Sequence, residues 1–235
     1  MKRQDLRRPS LTTLTADAVL DLIRDRGLGE GDAIPSAAEI AEALGVSRTV
    51  VREAIAELAG QGLLLRQQGA QSVITVPGSS QLERLVRLRF AVHGSDLAQV
   101  QELRESIEVA AAELAARRAT REDLVELSAR LEQLRSAGDD DARHRADLAF
   151  HRAVVVAAHN DLMQMTIEAV APLLDRLLLQ VWEGWTNAGR PVDELVEAHA
   201  RILERIVASD AEGSGSAMRA NLLQGRSGAN DYLNA

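Results

Sequence analysis

At 235 residues, 46% hydrophobic but only 2% aromatic, the chain is long enough for two small domains and is biased toward packed helices rather than sheets. It has no cysteine, which excludes a disulfide framework and thiol chemistry. The net charge of −8 does not exclude nucleic acid: residues 1–76 hold 9 basic and 10 acidic groups, the remainder 18 and 25, so the acidic load lies in the C-terminal part.

The N-terminus, MKRQDLRRPSL, lacks the apolar stretch of a signal peptide. No apolar run approaches the roughly 20 residues needed to cross a bilayer. A cytoplasmic protein with no membrane contact is expected. Lys2, Arg3, Arg7 and Arg8 form a basic arm suited to phosphates or the minor groove, or equally a solvated tail. Residues 11–26 are predicted helical, with Leu14, Ala18, Leu20, Leu22 and Ile23 on the apolar side.

Ile34 to Leu65 carries the sharpest pattern. Ser36 followed by Glu39 is a capping box, Ile40 and Leu44 form an apolar face, and Gly45 permits the left-handed backbone that ends a helix. Ser47 then caps a second helix whose apolar face is Val51, Ala54, Ile55 and Leu58. Two short helices joined by a Gly-containing turn are a helix-turn-helix unit. Its second helix begins with Ser47, Arg48, Thr49 and Arg52. Arginine reads guanine or clamps phosphate, and the hydroxyls serve either role. Leu63–Gln67 and Ser72–Val76 are strand-like and flank a turn, which predicts a hairpin wing bringing Arg66, Gln68 and the Gly69 backbone to DNA.

Pro77-Gly78-Ser79-Ser80 marks the expected boundary, giving domains 1–77 and 78–235. Beyond it only helices are predicted, at 80–92, 97–117, 121–136, 140–159, 161–184, 191–209 and 216–224. Val100, Leu103, Ile107, Ala110 and Leu114 form one apolar seam, and Leu124, Leu127, Leu131 and Leu134 another. EGSGS at 212–216 reads as a loosened helix junction. The fold class is therefore mostly α: a winged helix-turn-helix followed by an all-helical bundle of six or seven helices. Within that bundle Asp147 and His151 are four apart on one helix, and His199 lies on another in the stripe Leu195, His199, Ile202, Ile206. Asn221 stands on the last helix. Carboxylate and imidazole groups on facing helices are how bundles build metal sites, although a histidine on an apolar stripe is more often a hydrogen-bonded core residue. His144 and His159 compete for the same role. Arg104 reads as a surface salt bridge or as a fork for a carboxylate.

The run P-S-x-x-E-I-A-x-x-L-G-V-S-R-T-x-V-R-E-A-I resembles the DNA-binding domain of GntR-type bacterial transcription regulators. Ala38 stands where that family often has arginine, and Gln68-Gly69-Ala70 is a less basic wing. Asp147 to Asn160, D-L-A-F-H-R-A-V-V-x-A-A-H-N, and Glu102 to Glu108, E-L-R-E-S-I-E, resemble the FCD effector-binding domain of one GntR subfamily. That resemblance implies a divalent metal (zinc, nickel or manganese) held by Asp147, His151 and His199, with Asn221 where the family has a further histidine. An amide oxygen is a poorer donor than imidazole, so the site is expected to be weakened there. It also implies that Arg104 pairs with a small carboxylate effector. Because neutral imidazole is the ligand form, metal affinity should fall as pH drops through roughly 6.5.

The expected function is a ligand-responsive transcription regulator, with repression the commoner sign in the family. It would bind an inverted-repeat operator in double-stranded DNA as a homodimer and respond to a small organic or sugar acid. An acyl-thioester-responsive regulator without metal is a second reading. A zinc enzyme with Asn221 polarising a substrate is a third, disfavoured because no acid–base partner stands at a clear spacing.

Overall fold

A computed structural model describes residues 9–67, 71–76, 78–93 and 97–234. The chain divides into two compact units, Met1–Gln81 and Leu82–Ala235.

In the first unit, α1 (Leu11–Asp25) packs with α2 (Ala37–Leu44) and α3 (Arg48–Gly60), and β1 (Leu64–Leu65) pairs antiparallel with β2 (Val73–Ile74). The register is Leu64 to Ile74 and Leu65 to Val73. The caps fall where the residue types require them. Ser36 and Glu39 make a reciprocal capping box, Gly45 adopts φ 65°, and the Ser47 hydroxyl accepts from the Val50 N–H. One small core forms from Val19, Ile34, Ile40, Val51, Ile55, Leu58 and Leu64. Two expectations are corrected. The strands are two residues each, shorter than the five-residue runs predicted, with one further backbone bond from the Thr75 N–H to the Leu63 carbonyl. On α1, Leu20 and Ile23 pack against the core as expected and Thr15, Ala16 and Val19 are buried beside them, whereas Leu14 is exposed.

The second unit contains α4 (Ser79–His93) from Leu82 onward, α5 (Leu97–Arg118), α6 (Arg121–Ser136), α7 (Asp140–Ala157), α8 (Asp161–Asn187), α9 (Val192–Val207) and α10 (Ala211–Asn234). Seven helices match the predicted bundle, but α10 begins earlier and runs further than expected. EGSGS lies inside it. Ser214 is wholly buried and its hydroxyl donates to the Ala112 carbonyl across the interface with α5. Ala112 and Ala115 of α5 share a core cluster with Met218 and Leu222 of α10. Small residues on both helices let the backbones approach. The Gly/Ser run is a packing surface, and helical propensity yields to tertiary contact.

The predicted seam of α5 packs inward at Val100, Ile107 and Leu114, while Leu103 sits at the exposed limit. Beside the seam the helix also buries Gln101, Arg104, Glu108 and Val109. On α6, Leu127, Leu131 and Leu134 are buried as expected. Trp182, Phe150, Leu127, Ile202, Met218 and Leu222 belong to the main core. Among the described residues, no helix is long and apolar enough to cross a membrane.

Candidate functional site

Three helices turn polar groups into the bundle. On α5, Gln101, Arg104 and Glu108 are spaced by three and four residues and share one buried face. On α7, His144, Asp147 and His151 do the same, and α9 contributes His199, which is 1% exposed. The Arg104 Nε donates to Glu108 Oε1 at 2.8 Å, and its Nη2 lies 3.8 Å from Asp147 Oδ2. The other oxygen of Glu108 is 2.6 Å from His151 Nδ1, a close contact not aligned as a hydrogen bond. Asp147 Oδ1 lies 2.8 Å from His199 Nε2 and 3.9 Å from His151 Nε2, and the two Nε2 atoms are 3.2 Å apart.

The partners behind the rings decide their tautomers. Nδ1 of His199 is 2.7 Å from the Leu195 carbonyl, which only accepts, so that nitrogen carries the proton. Nδ1 of His151 faces a carboxylate oxygen and carries its proton for the same reason. In both neutral rings Nε2 then presents a lone pair. Two such lone pairs and Asp147 Oδ1 converge, all within 4.8 Å of one another. A single proton there bridges one pair of the three; a cation meets all three. Ligand bonds of about 2.1 Å place donor atoms roughly 3.0–3.4 Å apart, and the observed separations of 2.8, 3.2 and 3.9 Å straddle that range. Backbone carbonyl and carboxylate behind the rings are the outer partners that metal-bound histidines use. The residues fit a divalent cation.

Electrostatics keep the groups in their ligand forms. Burial pushes the Asp147 carboxyl up, but His151, His199 and Arg104 outweigh it and hold it well below the usual carboxylate range. Glu108 is likewise lowered, with Arg104 and His151 overcoming burial. The His151 pKa is lowered by burial first and by Arg104 second, against Glu108 and Asp147. It stays neutral to lower pH than an exposed histidine, so the expected loss of metal at about pH 6.5 moves downward where His151 is concerned.

Asn221 reaches the site from α10. Its amide lies 3.2 Å from His199 Nδ1, the nitrogen held by Leu195 and not the one facing Asp147. Two donors oppose each other if the amide nitrogen occupies that place; a flipped amide puts Oδ1 there and satisfies the Nδ1–H. His144 and His159 do not join: His144 Nε2 pairs with Asp175 at 2.7 Å and His159 with Asp123 at 2.8 Å. Arg104 is 4% exposed, so the surface salt bridge is corrected to a buried one. Glu108 was missed as a functional group. Its signal was its place one turn after Arg104, but a Glu four residues from an Arg is far more often a solvated pair. Trp182 and Trp185 are both buried, and the Trp185 indole donates to the Pro191 carbonyl.

In the first unit, Ser47, Arg48, Thr49 and Arg52 are exposed along one side of α3, opposite Val51, Ala54, Ile55 and Leu58. Arg52 and the exposed Arg66 line one cleft of ≈ 470 Å³ with Pro35, Ser36 and Gln71. Gln68 and Gly69, the basic arm at residues 2–8 and Pro77 lie outside the described residues.

Comparison with known proteins places these features in a family. Residues 11–74 match the model of the gntR family of bacterial regulatory proteins, and residues 99–224 match the FCD domain. The HTH-type transcriptional regulator LutR of Bacillus subtilis is 29% identical over 203 residues, covering 86% of this chain and 93% of that protein. A putative L-lactate dehydrogenase operon regulatory protein of Escherichia coli is 30% identical over 216 residues, covering 90% and 83%. Among solved structures, a GntR protein of Streptococcus agalactiae superposes with a TM-score of 0.61 at 23% identity, covering 90% of this chain and 97% of that one, a likeness of fold.

Proposed function

The chain belongs to the GntR family of bacterial regulatory proteins, in the group carrying an FCD domain, and is a transcription regulator rather than an enzyme; from that premise we propose that its helical unit holds a divalent cation on Asp147, His151 and His199 and takes a small carboxylate effector on Arg104. The observation that carries this reading is the convergence of Asp147 Oδ1 and the Nε2 atoms of His151 and His199 in a buried site. Bound there, the cation supplies a Lewis-acidic anchor for a carboxylate oxygen. The chain's own groups do the rest. Leu195 and Glu108 orient the rings, and Arg104 keeps one buried nitrogen, Nη2, without a hydrogen-bond partner, available to a ligand. Zinc, nickel or manganese are the candidate ions, with the Asn221 amide lying behind His199 at its Nδ1 rather than among the donor atoms. The E. coli relative's link to an L-lactate dehydrogenase operon supports a small organic acid as effector. Calorimetry at neutral pH should show one divalent ion per chain, and His199→Ala should abolish it. Because His151 stays neutral below the ordinary histidine range, its contribution to affinity should persist through pH 6.5 and fall only at lower pH. Wild-type protein that takes up none of these ions would refute the assignment.

The first unit reads DNA through Ser47, Arg48, Thr49, Arg52 and Arg66, with Gln68 and Gly69 as further candidates from the sequence. A homodimer on an inverted repeat fits this arrangement. On α4, Leu85, Leu88 and Val92 form a stripe at helical spacing, each more than 60% exposed, while Val86 and Phe90 pack inward. A second copy of the chain is the occupant that this stripe fits. The effector acts by preferring one arrangement of that dimer, with repression as the expected sign. Arg48→Ala and Arg52→Ala should each weaken operator binding by about 1–3 kcal/mol, without loss of folding, because both side chains project away from the core. Where the lost contact is to phosphate, the salt slope should fall by roughly one. Fluorescence anisotropy at several salt concentrations measures both and gives two chains per operator. Undiminished affinity in both variants would remove α3 as the reading helix.

A further inference from the structure

Among the described residues of the helical unit, the buried ionisable side chains are Arg104, Glu108, Asp147, His144, His151 and His199. His144 pairs with Asp175, whose side chain is 59% exposed, and so has its own counter-charge at the surface. The other five form one connected cluster. With neutral rings it contains one positive and two negative charges, a net of minus one. Arg104 stands against both carboxylates, 2.8 Å from Glu108 and 3.8 Å from Asp147.

We propose that Glu108 sets the charge of the effector this site accepts, making it selective for singly charged carboxylates and dependent on the cation for binding them. The inference rests on the assignment of Asp147, His151 and His199 to a divalent cation and of Arg104 to the effector. The argument is one of charge. A carboxylate entering without the cation brings the buried cluster to minus two. A divalent ion first brings it to plus one, and one monocarboxylate then brings it to zero. A dicarboxylate overshoots to minus one. Buried net charge is costly, so the neutral combination is favoured. Without Glu108 the same cluster starts at zero, reaches plus two with the cation, and is neutralised by a dicarboxylate. No other side chain here does this. Asp147 is needed as a ligand, and Arg104 as the fork.

Glu108 also spends its two oxygens on two different partners, Oε1 on Arg104 and Oε2 on His151. One side chain thus touches both the effector-binding and the metal-binding group. Removing its charge should weaken metal binding by about 10–100-fold, the usual effect of losing an outer partner of a ligand histidine.

The test uses the full-length protein at one fixed neutral pH. Manganese affinity is measured by calorimetry. Affinities for glycolate, L-lactate, malonate and L-malate are then measured with and without manganese. Wild type should bind the monocarboxylates better than the dicarboxylates, and at least about tenfold better with manganese present. Glu108→Gln, which keeps shape and loses charge, should shift the ratio toward dicarboxylates by tenfold or more. Glu108→Asp, which keeps the charge, should retain the wild-type ratio. Thermal denaturation checks that each variant is folded. An unchanged ratio in Glu108→Gln, or a wild type that prefers dicarboxylates, overturns the proposal while leaving the metal assignment standing. A wild type that binds no manganese, zinc or nickel removes the metal assignment itself, and this inference with it.

Discussion

Arg104→Ala is expected to destabilise the helical unit by about 3–5 kcal/mol, the cost of removing one partner from a buried ion pair. The side chain is 4% exposed, Glu108 is 1% exposed, and Asp147 stands 3.8 Å from the guanidinium. Without Arg104, two carboxylates remain buried around neutral rings. A pair on the surface would cost under about 1 kcal/mol, so urea denaturation separates the two cases cleanly. Divalent metal should rescue the variant. An added cation at one hundred times its Kd stabilises a folded site by about 2.7 kcal/mol, and the more negative site should bind it more tightly than wild type does. Acid acts in the same sense on the wild type. Asp147 and Glu108 hold protons less tightly folded than unfolded, so their contribution is complete above the ordinary carboxylate range and is lost as pH falls from there through their lowered folded values. An Arg104→Ala variant as stable as wild type in metal-free buffer would show that the cluster is far more hydrated than its burial indicates.

Much of this molecule was legible in the sequence, and the parts that were not share a cause. The caps at Ser36, Gly45 and Ser47 are local chemistry, set by a residue and its neighbours three positions away, and each fell where expected. Helix α6 was legible for the same reason, since Leu127, Leu131 and Leu134 are buried at the spacing they show in the chain. Asp147, His151 and His199 were found by type and spacing, and the fold brings them together across α7 and α9.

The failures came where a neighbour overrode local preference. Ser214 and its glycines look like a break until the alanine face of α5 is placed against them. On α5 the apolar seam does pack inward at Val100, Ile107 and Leu114, yet the polar strip Gln101, Arg104 and Glu108 is buried beside it. Hydrophobic periodicity assumes that the interior is apolar. Here the interior also contains a charge cluster, and a pattern based on transfer to oil gives no sign of that second buried strip. Glu108 was hidden by the same assumption, because nothing along the chain says that its partner in space is His151.

Phe150→Ala should cost about 3–5 kcal/mol as a large-to-small change in a closed core, and it should also loosen the metal site. Phe150 is fully buried, with its ring centroid 5.9 Å from that of His151 and 5.2 Å from that of His199, at 85° and 79° to their planes. Both imidazoles therefore lean edge-to-face on one phenyl ring. Their Nδ1 contacts fix one end of each ring, and Phe150 restricts rotation about that anchor, which is what keeps the two Nε2 atoms 3.2 Å apart. Removing the phenyl leaves a cavity into which either ring can tilt, and metal affinity should fall by about tenfold or more, as for loss of other groups that orient ligand histidines. Phe150→Leu refills most of the volume and should cost about 1.5 kcal/mol or less in stability. It lacks the flat face, so its metal affinity should still be reduced. The comparison separates packing from orientation. If Phe150→Leu regains stability and metal affinity together, filling the space is all that Phe150 does. If stability returns and affinity does not, the ring itself holds the two histidines at their working angle.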